Sequence, residues 1–269
     1  MIRALGLYRR LILIQIRSQL QYRTAFVMET TATALMQGLF FLSIYLVMSR
    51  FGDIGGWSVG EVAFLYGLVE LSFGLMDMIF SGFDPKDFGQ QVRLGTFDQL
   101  MLRPVDLKLQ VFGSEFVIRR IGRIFQGLLI FLVALSLLDI QWTIIKILFV
   151  PTIILSLVLF FGGLFIIGST ITFWTVESIE AINILTYGGS EMMAYPMHIY
   201  QDWLRQIFTF LVPAIFLNYY PAVYILDKPD PLNFPSFAPF LSPVAGLGVF
   251  IAALLFWQFG LKYYQSTGS

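Results

Sequence analysis

The sequence predicts an all-α, polytopic membrane protein with six transmembrane helices, and three observations predict it. The 269 residues are 57% hydrophobic and only 13% charged, with a mean hydropathy of +0.77, whereas a water-soluble domain of this length carries about a quarter charged residues. Five stretches reach the roughly 20 apolar residues that cross a hydrocarbon core of about 30 Å. Most of the 17 Lys and Arg side chains fall in three places. These are the N-terminal stretch (Arg3, Arg9, Arg10, Arg17, Arg23), the stretch from Lys86 to Arg123 (with Arg93, Arg103, Lys108, Arg119 and Arg120), and Lys262. A chain with both termini in the cytosol returns to that face at those three places, which is the positive-inside pattern.

Residues 1–23 read as an interfacial helix. Arg3, Arg10 and Arg17 recur every seven positions and stack on one side, while Leu5, Ile12 and Ile16 lie on the other, so the helix rests in the headgroup layer. Arg9 falls off that stripe, and a plain basic flank of the first span is the alternative. The stretch is itself half apolar and no small-residue cleavage site follows a short hydrophobic core, so no removable signal peptide is expected. The spans are Ala25–Met48, Glu61–Ser81, Phe116–Leu138, Ile144–Phe173 and Val244–Gly260. The fourth is long enough to need tilt or a bend, for which Pro151 and the glycines 162, 163 and 168 are the places.

Between the second and third spans, residues 84–114 form a cytosolic region. Thr96 and Gln99 have the spacing of a capping box, and Pro104 ends the helix they would start. Phe97, Leu100 and Met101 stand at i, i+3 and i+4, which predicts an exposed apolar knob on a short helix. Such a knob either docks into a partner or packs on the underside of its own bundle.

From Gln206 to Leu226 the chain carries no charge and resembles an ordinary span, but Pro213 and Pro221 would each remove a backbone hydrogen bond from a lipid-exposed helix. The preferred reading puts a fifth span at about Ser178–Pro196, facing protein, followed within residues 197–243 by a re-entrant pair of short helices that dips in from the outer side. Making 206–226 the span instead also gives six, and the two versions differ over the side on which residues 197–201 lie. Lys228–Pro243, with its five prolines, is an outer loop. Residues 1–269 read as one transmembrane domain.

Zero net charge and topologically segregated basic residues leave no face for nucleic acid. Without cysteine, and with His198 as its one histidine, the chain has no disulfide, no thiolate nucleophile and no Cys- or His-rich metal site, so no metal or cofactor is expected on it. It contains no GxxxxGK[ST] loop with which to hydrolyse ATP. Glu29, Glu70, Asp77, Glu180 and Glu191 fall within predicted spans, where an ionised side chain costs about 2.5–3.5 kcal/mol. Glu70 and Asp77 are seven apart and share a helix face. With Glu29 and Glu191 they are the candidate translocation path, the alternative being ion pairs with Arg119 or Arg123 on the next helix. Trp57, Trp142, Trp174, Trp203, Tyr219, Tyr220, Tyr263 and Tyr264, near span ends, read as interfacial anchors.

Four features together resemble a known family over nearly the whole chain: the basic N-terminal helix, GTFDQLMLRPV at Gly95–Val105, the FW pair at Phe173 and Trp174, and YPMHIYQDWLRQIFTFLVPAIFLNYYPA from Tyr195 to Ala222. They resemble the ABC-2 class of transporter permeases, in the short branch that consists only of the membrane domain. The resemblance implies a half-transporter in membrane lipid that dimerises with a second permease, identical or different, and sits on separate ABC ATP-binding subunits holding ATP and Mg. It implies that the helix after the second span is the coupling helix, a role falling on Gly95, Thr96, Phe97, Asp98, Leu100, Leu102, Arg103 and Pro104. It also implies an outer re-entrant gate at Tyr195, Pro196, Pro213 and Pro221. The function it implies is ATP-driven export of a lipid, glycan, peptide or drug-like substrate across the plasma (bacterial inner) membrane, by a subunit that is not itself an enzyme. Two other classes are compatible with the residues. One is a secondary transporter or channel with Glu70 as its ion site. The other is an intramembrane enzyme acting on lipid, against which Glu70 and Asp77 lack an adjacent nucleophile, histidine or metal-ligand set.

Overall fold

In the computed structural model, which describes residues 2–175 and 180–266, all the regular elements among the described residues are helices. The chain opens with α1 (Ile2–Gln21), whose Leu7, Leu11, Ile12 and Ile16 turn toward the protein while Arg9, Arg10 and Arg17 stay exposed. Arg10 and Arg17 thus lie opposite Ile12 and Ile16, as predicted; the side chains of Arg3 and Leu5 lie outside the described residues, and Leu13, Ile14 and Leu20 are exposed as well. Two glutamines on the inward face fasten α1 to the chain beyond it. Gln15 Nε2 donates to the Ser114 carbonyl (2.6 Å) and Gln19 Nε2 to that of Phe116 (2.6 Å), while Gln19 Oε1 accepts from the Ile118 N–H (3.0 Å).

The five apolar stretches form α2 (Arg23–Phe51), α3 (Val59–Phe80), and, after the short helices α4 (Pro85–Arg93), α5 (Thr96–Met101) and α6 (Leu107–Ser114), α7 (Ile121–Leu137), α8 (Ile144–Thr175) and, last in the chain, Ser242–Tyr263. Each lies within about a turn of its predicted bounds, and all five are long and apolar enough to cross a membrane. The helix starts follow capping chemistry. The Ser58 N–H donates to Glu61 Oε2 (2.7 Å) at the head of α3, Asp84 Oδ1 accepts the Lys86 N–H (2.9 Å) with Pro85 beginning α4, and Asp106 Oδ1 accepts the Leu109 N–H (3.1 Å) in α6.

Between α8 and the last helix the chain is broken into short pieces. A helix over residues 180–193 comprises α9 (Glu180–Asn183), a π-turn (Ile184–Gly188) and α10 (Gly189–Met193), and it buries Ile182, Thr186, Ser190 and Met193 along one face. The predicted start of the fifth span at Ser178 lies outside the described residues. Then come α11 (Asp202–Gln206), extended by a π-turn to Leu211, and α12 (Tyr219–Ile225), preceded by a short turn from Ala214. The stretches Asp202–Leu211 and Ala214–Ile225 are bent by 78° and together would make a sixth crossing or a re-entrant loop. Pro213 sits in the break and Pro221 in the first turn of α12, where its missing N–H needs no partner. The final helix, Ser242–Tyr263, is α13.

At the centre stands α3, buried on nearly every side and packed between α7 and α8. Small residues set its distance from α7. A Cβ added to Gly67 would come 2.6 Å from the Phe131 nitrogen, and one added to Gly127 would come 2.6 Å from that of Leu71, so the two backbones touch. At the α8–α13 contact, Gly246 rests in the same way on the Ser156 carbonyl. Overpacking such a contact costs about 1–3 kcal/mol. The detergent-solubilised Gly127→Ala protein is therefore expected to melt several degrees below the parent, and Gly38→Ala, which faces open space on α2, to melt with it. Equal melting of all three in a thermal unfolding assay would refute the close seam.

Candidate functional site

At the end of the bundle that carries α1, a Gly reverses the chain. Gly95 closes α4 with φ +66°, the left-handed region that a side chain would strain, as the Leu94 N–H bonds the Gln90 carbonyl (3.0 Å) and the Gly95 N–H that of Val92 (3.1 Å). Gly95 thereby takes the N-cap position of α5. The capping box predicted from Thr96 and Gln99 is not formed, and the Thr96 hydroxyl instead donates to the Gln91 carbonyl (3.1 Å).

Of the two fates expected for the knob at Phe97, Leu100 and Met101, Phe97 takes the second and packs under its own bundle, while Met101 stays exposed. Phe97 is fully buried, with ring centroids 5.1 Å from Phe88, 5.1 Å from Tyr264 and 5.4 Å from Phe173, and with Trp257 at 6.3 Å. The ends of α8 and α13 supply an aromatic cavity that solvates this ring better than water does, so α5 turns it inward. Leu100 is half-buried. What remains outside is an apolar tip of Leu94, Met101 and Leu102, the last 85% exposed, flanked by exposed Arg93 and Arg103. Asp98 holds the segment after α13. Its Oδ1 accepts from the Tyr264 hydroxyl (2.8 Å) and its Oδ2 from that of Ser266 (2.5 Å). Burial, with the Asp98 carboxylate beside it, pushes the Tyr264 phenol up from its ordinary value. Gln110 Nε2 donates to the Leu100 and Val105 carbonyls (3.0 and 2.9 Å), fixing the turn through Arg103 and Pro104 to α6.

Deeper in the bundle, three arginines at the head of α7 meet three carboxylates. Arg123 Nε and Nη2 each donate to one oxygen of Glu70 at 2.7 Å, both side chains being buried, and the guanidinium lies 4.2 Å over the Phe73 ring. Arg120 Nε stands 2.8 Å from Asp77 Oδ2, and Arg119 Nη1 donates to Glu29 Oε2 across a more exposed gap of 3.2 Å. Glu70 and Asp77 do share a face of α3, as their spacing predicts, and that face is spent on α7. Glu191 is exposed on α10 and joins none of these pairs. Near the end of α3 a cavity of about 540 Å³ opens between α4 and α9, lined by Asp84, Lys86, Glu180 and Tyr187, with the Tyr187 hydroxyl donating to Asp84 Oδ2 (3.2 Å).

The opposite end is held by side chains from the broken segment. His198 Nε2 lies 2.7 Å from the Gly55 carbonyl, to which it must donate, and Nδ1 lies 3.1 Å from the Tyr219 hydroxyl. Lys228 Nζ reaches Glu61 (2.8 Å) and the Gly56 carbonyl (3.1 Å) beside the Trp57 ring, and Asn218 Nδ2 donates to the Met193 carbonyl (2.7 Å) next to Tyr195 and Pro196. Several expected anchors are therefore internal: Trp57, Tyr219 and Tyr220 are buried and Tyr264 half-buried, whereas Trp142, Trp174, Trp203 and Tyr263 remain exposed. Sequence reasoning overlooked Leu94 and the contacts of Asp98. A Tyr just past an apolar span reads as an anchor, and its partner lies 166 residues away in the chain.

The family described as ABC-2 family transporter protein has a model that matches residues 34–268 of this chain. No curated protein and no solved structure matches it.

Removing one partner of a buried ion pair costs about 3–5 kcal/mol because the other charge is stranded. Arg123→Ala is thus expected to melt far below the parent, and Glu70→Leu combined with Arg123→Met to recover most of the loss. Parent-like melting of Arg123→Ala would show that the pair does not hold α3 to α7.

Proposed function

The chain belongs to the ABC-2 transporter family, whose members are membrane transport components generally paired with an ATP-binding subunit, and from that premise we propose that it is the permease subunit of an ATP-driven exporter. In this reading α5 is the coupling helix. Gly95 sets its angle, Thr96 ties it to α4, Phe97, Asp98 and Leu100 seat it against the bundle, and Leu102, Arg103 and Pro104 with Met101 present the surface that enters a cleft of the ATPase. ATP and Mg are held there, on the partner, and not on this chain. ATP binding drives the permease only by favouring one of its conformations over another, and α5 is where that preference enters.

The observation that carries this reading is the apolar tip itself. A six-residue helix is plugged into the bundle by Phe97, yet leaves Leu102 85% exposed between two arginines. Exposed apolar clusters rimmed by charge mark docking surfaces. The same orientation puts α1, α5 and the segment after α13 in the cytosol and the His198 end outside, in a plasma (bacterial inner) membrane. There Tyr195, Pro196, Pro213 and Pro221 shape a re-entrant gate. Glu70 and Asp77 brace the wall of the path from behind, through Arg123 and Arg120, and Glu29 and Glu191, being exposed, are the carboxylates able to meet a substrate. The substrate is a lipid, glycan, peptide or drug-like molecule. A second permease, the same chain or another, completes the path. Glu70 has both oxygens committed to Arg123, an arrangement unfavourable to the ion site that an ATP-independent transporter would need.

A mild-detergent pull-down from the native membrane, read by mass spectrometry, is expected to recover an ATP-binding subunit with the parent chain. Leu102→Asp, a surface change that spares the core, is expected to lower that recovery more than tenfold, as loss of an anchoring contact worth about 2 kcal/mol implies. Recovery of the folded parent chain alone would overturn the ATP-driven reading, and full recovery with Leu102→Asp would remove α5 as the contact.

A further inference from the structure

The last helix and the α5 helix meet at a point that neither the family nor the coupling assignment requires. A helix of six residues is too short to be stable alone. It is joined to α4 through a left-handed glycine and to α6 through the turn at Arg103–Val105. Such an element delivers force only to what it is fastened to. Phe97 provides one fastening, but ring contacts with Phe88, Phe173 and Tyr264 permit sliding and tilting. Asp98 provides another of a different kind, because hydrogen bonds to a carboxylate are short, directional and among the stronger ones in proteins. Both of its oxygens are used on a segment three residues long, Tyr264 at 2.8 Å and Ser266 at 2.5 Å. That segment follows α13 directly.

We infer that Asp98, Tyr264 and Ser266 form a latch that makes α5 and α13 one moving unit, with Asp98 as its positioning residue. The inference rests on the coupling role proposed for α5 and names where its displacement goes. With 22 residues, α13 spans about 33 Å, enough to carry a push at one end of the bundle to the other. Its far end follows the turn Ala238–Leu241, which leads out of the proline-rich loop. Movement of α5 is thus delivered to the segment after Lys228, whose side chain is tied to Glu61 and Gly56, and so to the end of the bundle remote from the ATPase.

The natural absence of cysteine makes the test direct. Spin labels placed through Gln99→Cys and Leu247→Cys, both exposed positions, report the distance from α5 to the far end of α13 by pulsed electron paramagnetic resonance on the full-length protein in detergent. The expected result is one narrow distance distribution for the parent. It broadens at least twofold in Asp98→Ala and stays near the parent in Asp98→Asn, whose amide oxygen still accepts the Tyr264 hydroxyl. Should Asp98→Ala fold poorly, Tyr264→Phe keeps the ring packing and loses one hydrogen bond, and it is expected to broaden the distribution part of the way. A purely structural role would lower melting temperature without widening the distance. Parent-like widths in Asp98→Ala, or in Tyr264→Phe where that variant stands in, overturn the latch. The measurement needs no ATPase, so a failed latch is told apart from a failed coupling assignment, which the pull-down decides.

Discussion

A guanidinium and a carboxylate joined by two 2.7 Å hydrogen bonds inside an apolar bundle fix the position of most of what surrounds them. Neither charge tolerates separation in a medium where each would cost several kcal/mol unpaired, so α3 and α7 cannot part. The bidentate geometry also sets their rotation. A second pair, Asp77 with Arg120, sits two turns further along α3 and sets the register. Rotation and register together define one arrangement of two helices. Gly67 and Gly127 allow it by letting the backbones approach until no side chain could stand between them. The third pair, Glu29 with Arg119, is half exposed and stabilises little, but it ties α2 to this centre.

From that fixed seam the helices at the basic end hang as a separate layer. Phe83 and Phe88 lead the chain out of α3, and Phe97, Phe173, Trp257 and Tyr264 complete an aromatic cluster that joins α4 and α5 to the ends of α8 and α13. Aromatic packing supplies most of the burial that attaches this layer. Polar fastenings add to it: Gln15 and Gln19 under α6, Gln110 around the turn after α5, Asp98 on the segment after α13, the Ser169 hydroxyl on the Phe83 carbonyl (2.6 Å) and the Tyr187 hydroxyl on Asp84. Ring burial and directional hydrogen bonds thus attach the layer by different chemistry.

What could be read from the sequence follows from how local each signal is. An apolar run of 20 residues specifies a crossing whatever surrounds it, so α2, α3, α7, α8 and α13 stand close to their predicted bounds. Proline is equally local. Pro213 and Pro221 argue against a straight span because they lack an N–H in any environment, and they occupy a break and a first turn. The spacing of Glu70 and Asp77 gives their common face, and Arg123 is one of the two partners the sequence offers for them; the other, Arg119, pairs with Glu29, and Asp77 takes Arg120, which the spacing does not single out. Phe97 could not be read. Its spacing with Leu100 and Met101 says that they share a side, but on a helix of six residues nothing local says whether that side meets solvent or bundle. The Thr96 and Gln99 spacing misled because the preceding glycine, free to adopt a positive φ, took the cap position. Trp57, Tyr219 and Tyr264 misled for a related reason, since an aromatic near a span end has the same composition whether it faces headgroups or a neighbouring helix.

The two neighbours of α7 differ in what it would cost to move them. Almost every side chain of α3 is buried, and displacing it would break two ion pairs and a glycine seam. Of the 29 residues of α2, only Ile44 and Met48 are fully buried, and its ties to the bundle include the Glu29 pair, a bond from the Tyr66 hydroxyl to the Gln37 carbonyl (3.0 Å), the rings of Phe40 and Phe41 against Tyr66, and the contact of Thr30 with Gly122. Its remaining apolar surface is satisfied by lipid or by a second subunit equally well, so exchanging one for the other carries little hydrophobic cost. Through Tyr22, α2 continues from α1, which the two glutamines fasten to the chain around α6. The layer around α6 is therefore joined to α2 through α1, by a route outside the α3–α7 seam. In a bundle built in this way, displacing the peripheral α2 costs less than displacing the central α3.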